Sequence, residues 1–199
     1  MLTMEILLAL GLGIGLSSVA GVRAFVPLAL GAVFAAVGLF GPPSHYVDVG
    51  GDGWWWSVSG VLAGLAVVEI VLDKLPVLDR AFNYAMVPVR ACAGAVIFTA
   101  ALGFDLDTGS LPWLAVGALI AGAVAVAKVS LRPPAKAASA GVSPIFLSVF
   151  EDVVGLVGSV VGFFVPLVPL LLVAFLLFFF YRVSRRRGRK FGGLRILGD

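Results

Sequence analysis

The chain has 199 residues, of which 61% are hydrophobic and only 13% charged, and its mean hydropathy is +1.12. Soluble domains are roughly half apolar and about a quarter charged, so the composition excludes a soluble enzyme, a disordered chain and a nucleic-acid-binding domain, and leaves an integral membrane protein. The net charge of +3 matters less than where the charges stand.

A membrane span needs about 20 apolar residues, and helices are expected because lipid offers the backbone no hydrogen-bond partners. No run shows the alternation of a transmembrane barrel. The first uncharged run, residues 6–40, is broken only by Arg23. As one helix it would be about 52 Å long, against a hydrocarbon core of about 30 Å. It should therefore fold back, with Ala20-Gly21-Val22-Arg23 as the turn. The segment before it, Met1-Leu2-Thr3-Met4-Glu5, has no basic residue, so a cleaved signal peptide is not expected. Further runs cover residues 54–68, 81–104 (containing Arg90), 111–127, 137–150 and 153–181. The last holds Pro166 and Pro169, which predict a kink or break.

The basic residues set the orientation. Lys74 and Arg80 flank one connection, Lys128, Arg132 and Lys136 flank another, and seven more occupy the tail after residue 181. The connections at 41–53 and 105–110 hold no Lys or Arg and carry Asp48, Asp52, Asp105 and Asp107. The positive-inside rule puts the first set in the cytoplasm and the second outside. Trp54, Trp55, Trp56 and Trp113 border the predicted outer connections, where an aromatic belt belongs. Residues 137–181 start and end inside, so they cross an even number of times or re-enter. The expected form is a short or re-entrant arm turning near Glu151-Asp152, then a long return helix. The first run turns near Arg23 from the other face, with the N-terminus outside. The fragments at 18–22 and 138–142 share small residues, as the halves of an inverted-repeat transporter do; in a glycine-rich chain such a match also arises by chance.

The expected fold class is thus all-α: a polytopic integral membrane helical bundle of six or seven hydrophobic segments, two of them short or re-entrant. Residues 1–181 form a single transmembrane domain and residues 182–199 a basic cytoplasmic tail. The setting expected is a bacterial inner membrane, crossed several times.

Charges inside the apolar runs are the candidates for chemistry, because they are costly there. Glu69 and Asp73 are four residues apart and share a helix face; together they can pass a proton or bind a cation through oxygen ligands. Asp73, Lys74, Asp79 and Arg80 can equally be the paired charges of a cytoplasmic helix end. Arg90 stands some nine residues into its run, about 13 Å deep, and needs a carboxylate, water or an anionic ligand. Glu69 or the Glu151-Asp152 turn should lie within its hydrogen-bonding reach. Arg23, Glu151 and Asp152 are the turn charges of the two arms. They neutralise one another if both turns reach mid-membrane, and are ordinary loop charges if not. Lys128 is close enough to a helix end to snorkel. Arg185, Arg186, Arg187, Arg189 and Lys190 can bind anionic lipid headgroups or act simply as the stop signal that fixes orientation. Gly11/Gly15, Gly60/Gly64 and Gly158/Gly162 are spaced for close helix packing.

Cys92 and His45 are each single, which removes internal disulfides and cysteine- or histidine-built metal sites; any other metal preference is unknown. No Ser/His/Asp set, phosphate-binding loop or dinucleotide fingerprint exists, so neither an enzyme nor a cofactor is expected. A lipid-phosphate enzyme would need a nucleophile or metal cluster that these residues do not assemble.

The stretches Gly21-Val22-Arg23-Ala24-Phe25-Val26-Pro27-Leu28, Glu69 to Asp79 around Asp73-Lys74-Leu75-Pro76, Arg90-Ala91-Cys92-Ala93-Gly94-Ala95 and Val149-Phe150-Glu151-Asp152 occur in this order. Their order and spacing resemble the bacterial membrane-protein family catalogued as domain of unknown function 4126. The likeness runs roughly from Leu8 to Phe180. It brings no settled activity; it implies recurring charged positions at Arg23, Glu69, Asp73, Lys74, Asp79, Arg90, Glu151 and Asp152. The basic tail is not implied by it.

Two functions are expected. One is a permease-like transporter of a small solute or ion, with Glu69, Asp73, Glu151 and Asp152 handling protons or cations and Arg90 or Arg23 meeting an anionic group. The other is a non-catalytic membrane subunit or lipid-binding assembly protein whose buried charges are salt bridges. The partners expected are the bilayer and its anionic lipids, with a homo-oligomer or larger membrane complex; nucleic acid is not one.

Overall fold

The computed structural model of the protein describes residues 2–39, 53–75, 79–104, 108–132 and 144–192. Those residues form α1 (Leu2–Val22), α2 (Phe25–Ala36), α3 (Trp54–Leu72), α4 (Asp79–Ala101), a short 3-10 turn (Thr108–Ser110), α5 (Leu111–Leu131), α6 (Pro144–Phe164) and α7 (Val168–Gly192). All but α2 are long and apolar enough to cross a membrane, so the chain is an all-α, multi-pass bundle. α2, at 12 residues, reaches only about 18 Å. The small-residue fragment at 138–142 and His45 lie outside the described residues, so the repeat has no second half to compare.

Both helix breaks have a proline behind them. α1 ends with Arg23 N–H donating to the Val19 carbonyl at 2.9 Å. Pro27 follows four residues after Arg23, and a proline ring there collides with the Arg23 carbonyl of a continuous helix. The fold-back expected at Arg23 therefore occurs there. The second break departs from expectation. Glu151 and Asp152 stand inside α6, with no turn; the chain reverses at 165–167 instead, where Pro166 interrupts and Pro169 opens α7 at a position that suits proline. Adjacent acids resemble a surface turn only while their partners are unknown.

α1 is the central helix. One face packs through Leu16 and Ala20, with Ala24 just beyond the helix, onto Met86, Ala93 and Ile97 of α4 and Ala121 of α5. Its other face brings Val19 and Val22 against Leu147 and Val154 of α6 and Val173, Leu176 and Phe180 of α7. In lipid, apolar burial does not pull helices together, so close fit must do it. A Cβ at Gly94 of α4 would lie 2.8 Å from the Gly117 carbonyl of α5 and closer still to Ala121 Cβ. Gly11 and Gly15 of α1 let Pro166 approach, and Gly158 and Gly162 of α6 receive Val19 and Leu16. The Gly60/Gly64 pair is different: nothing lies within 4 Å of either added Cβ.

The helices thus form two unequal parts. α1, α4, α5, α6 and α7 make a five-helix body. α3 lies along α2 and makes almost no helix-to-helix contact elsewhere, and α2 touches α1, α4 and α6 only lightly. The α2–α3 pair is an arm, continuous with the body through Arg23-Ala24 before it and through residues 73–78 after it, and otherwise joined through whatever its side chains can hold.

Candidate functional site

What they hold is charge. Four elements of the body and the arm bring Arg23, Glu69, Asp73, Arg90, Lys128 and Glu151 together, each at most 2% exposed. Lys74, Arg132 and Asp152 border them and are partly exposed.

Asp73, just past the end of α3, is the hub. One carboxylate oxygen accepts from Arg23 Nη2 at 2.7 Å and Ser148 Oγ of α6 at 2.9 Å. The other accepts from Arg132 Nη1 at 2.7 Å and Asn83 Nδ2 of α4 at 2.8 Å. Burial alone would raise its pKa, but the charges of Lys128, Arg23 and Arg132 outweigh that and hold the carboxyl well below the usual carboxylate range.

Glu69 lies one helical turn before it and caps α2. Ala24 N–H and Phe25 N–H each donate to its carboxylate at 3.3 Å. These are orphan donors at a helix start that has no side-chain cap of its own, and a negative charge suits that end of the helix dipole. Arg90 of α4 donates to the same carboxylate through Nη2 at 3.3 Å and Nε at 3.4 Å, and to Asn83 Oδ1 at 3.2 Å. The expected contact between Arg90 and Glu69 is thus present; Arg90 reaches it from mid-helix.

Glu151 of α6 meets Lys128 Nζ at 2.8 Å, Arg132 at 3.3 Å and Arg23 at 3.7 Å. Asp152 pairs with Arg23 and with Lys74. Lys128 does not snorkel: it is fully buried and also donates to the Val22 carbonyl at 3.0 Å. That carbonyl belongs to the last turn of α1, where a cation is favoured.

Several of these contacts cross from arm or joint to body: Arg23 to Glu151 and Asp152, Glu69 to Arg90, Asp73 to Arg132, Asn83 and Ser148, Lys74 to Asp152. They gather around the last turn of α3. Among the described residues, the buried polar atoms left without a hydrogen bond include Arg23 Nε, Arg23 Nη1 and Glu151 Oε1. No group of three or more His, Cys, Asp or Glu is placed to hold a metal among the described residues.

Arg23, Glu69, Asp73, Lys74, Arg90, Glu151 and Asp152 therefore converge on one cluster. The side chain of Asp79 lies outside the described residues, though Asp79 is the first residue of α4. α7 runs on without a break past Arg182; Arg185 is exposed and donates to Tyr181 Oη at 2.9 Å. The side chains of Arg186, Arg187, Arg189 and Lys190 are outside the described residues. Sequence reasoning missed Asn83, Ser148 and Arg132 as members. Asn83 and Ser148 carry no charge to mark them, and Arg132 reads as a topology signal.

The profile of a family described as Domain of unknown function (DUF4126) matches residues 10–186. Neither the curated proteins nor the solved structures contain a match.

Proposed function

The chain belongs to that family, and we propose that it is a permease-like transporter of a small solute or ion, with the charge cluster as the gate between arm and body. One observation carries this reading: buried ion pairs fasten one end of the α2–α3 arm to the body, and along its length α3 packs on little but α2, which makes the arm's apolar contacts with the body through residues such as Phe25, Leu28 and Phe34. Interlocked apolar faces resist sliding, whereas ion pairs have discrete alternatives and can be exchanged for solute or water. The helix broken at Arg23, with a helix start aimed at a buried charge, is the arrangement transporters use for ionic substrates.

The complete burial of Arg23, Arg90, Lys128 and Glu151 favours a second reading, a non-transporting membrane subunit in which the cluster is a permanent fastening. Flux separates the two. Purified protein in liposomes is given gradients of sodium, potassium, protons, inorganic phosphate and lactate. The transporter reading expects protein-dependent flux of at least one, reduced by Glu69→Gln. Rates equal to empty liposomes for all five would overturn it.

The asymmetry of the basic residues supports a cytoplasmic C-terminus in a bacterial inner membrane. The basic run from Arg185 to Lys190 suits anionic headgroups, and the open Gly60/Gly64 face of α3 suits a homo-oligomer or a larger membrane complex.

A further inference from the structure

We propose that the Glu69 carboxylate occupies the seat of the transported solute, and that the solute is a small oxyanion. This deepens the transporter reading and rests on it. The seat consists of Ala24 N–H and Phe25 N–H at the start of α2 and the Arg90 guanidinium, all donating to Glu69. Two backbone donors at a helix start and one forked guanidinium form a receptor for a planar carboxylate or a phosphate oxygen pair. Here the anion that fills it comes from the protein's own α3.

A separate observation shows that the carboxylates on hand do not use up the donors. Arg23 immediately precedes the seat, is fully buried, and its Nε and Nη1 have no hydrogen-bond partner. Its third nitrogen, Nη2, already serves Asp73 and Ser148. The next group able to satisfy Nε and Nη1 must bring acceptors.

The division of charge between the two parts points the same way. The arm contributes Glu69, Asp73 and Lys74; the body contributes Arg90, Lys128, Arg132, Glu151 and Asp152; Arg23 sits at the joint. Withdrawal of α3 takes two carboxylates and one ammonium with it. It leaves four cations facing two carboxylates in a low-dielectric space. Such an excess is stable only with an anion in place. The cycle is then an exchange: solute oxyanion enters on Ala24, Phe25, Arg90 and Arg23 as Glu69 leaves, and Glu69 returns as the solute departs. A cation would have to displace arginine or lysine from every carboxylate; among the described residues the oxygens without a hydrogen bond are Glu151 Oε1 and Asp152 Oδ1, and the latter is already paired with Arg23.

The test empties the seat. Glu69→Ala, purified in detergent at constant ionic strength, is melted as acetate replaces chloride. The expected result is a saturable rise in melting temperature of about 5 °C, absent from wild type, where Glu69 competes, and absent from Glu69→Ala with Arg90→Ala. No acetate-dependent rise in Glu69→Ala, or the same rise in the double variant, overturns the proposal. Wild-type liposomes supply the second measurement, which does not depend on the variants folding. Saturable uptake of labelled lactate or inorganic phosphate, blocked by Arg90→Ala, supports the proposal. Flux of sodium, potassium or protons without either anion overturns it and leaves transport standing. Absence of flux for every ion removes the transporter reading itself, and then an acetate rise in Glu69→Ala reports only a structural cap.

Discussion

Removing Arg90 should leave Glu69 with less than it needs, and the size of that loss follows from the geometry. The closest approach of the two is 3.3 Å, with both side chains at most 1% exposed. At an effective dielectric of about 20, the Coulomb attraction is about 5 kcal/mol. Breaking a buried pair by deleting one partner costs about 3–5 kcal/mol, because the other charge stays buried. Arg90→Ala falls toward the lower end, since Glu69 keeps Ala24 N–H and Phe25 N–H. Glu69→Ala falls toward the upper end, because Arg90 keeps only Asn83 Oδ1 and the α2 amides lose their acceptor. In a chain of this size, 1 kcal/mol corresponds to roughly 2–4 °C, so each single variant should melt roughly 6–20 °C below wild type in detergent. The double variant strands neither charge. Its loss should fall short of the sum of the singles by about 2–3 kcal/mol. Strictly additive losses would refute the pairing as an energetic unit, whatever the distance between the atoms.

Asp73→Asn should lower stability at neutral pH by a margin that is constant between about pH 8 and about pH 5. Because the folded Asp73 pKa is depressed, the contribution is complete above the unfolded value of about 3.9 and is lost only as pH falls below it; melting curves across pH check this, and a margin already shrinking near pH 6 contradicts it. Gly94→Ala should cost about 1–3 kcal/mol through overpacking against Gly117 and Ala121, while Gly60→Ala, with open space around it, should be neutral or slightly stabilising. Equal melting shifts for these two would mean that the α4–α5 approach is not the constraint. A Ser184→Cys variant in a Cys92→Ala background should resist a membrane-impermeant maleimide in intact cells and react after permeabilisation; labelling from outside would invert the orientation.

Membrane class, a count of six or seven segments and the break at Arg23 are legible in the sequence because each is set locally: by run length, by the absence of charge, by Pro27 four residues beyond the turn; that α6 is a full-length helix and only α2 is short is not. Membership of the cluster is not local. Lys128 is three residues from the end of α5, as a snorkelling lysine would be. Whether that end faces lipid or lies against the last turn of α1 depends on packing that no spacing reveals. Glu151 and Asp152 read as a turn for the same reason, since the cations that make a mid-helix acid tolerable come from α5, from the residue after it and from the α1–α2 joint. Glu69 and Arg90 were findable, being the deepest charges of two helices joined by a short connection.

The distance along the chain between partners also has a consequence for synthesis. Arg23 and Ser148, which meet in the finished protein, are 125 residues apart in sequence, and Glu151 and Asp152 come later still. At about 5–20 residues per second, roughly 6–25 s pass between the appearance of Arg23 and that of its α6 partners. An arginine left in hydrocarbon for that time costs at least about 2.5 kcal/mol. Asp73, 50 residues after Arg23, is the first partner to appear; until then insertion of the α1–α2 segment must be delayed, or Arg23 must stay hydrated at the translocation channel or headgroup level. The polar joint that fastens the arm makes assembly of this small protein a matter of timing, with the set of partners around Arg23 complete only when the sixth helix arrives.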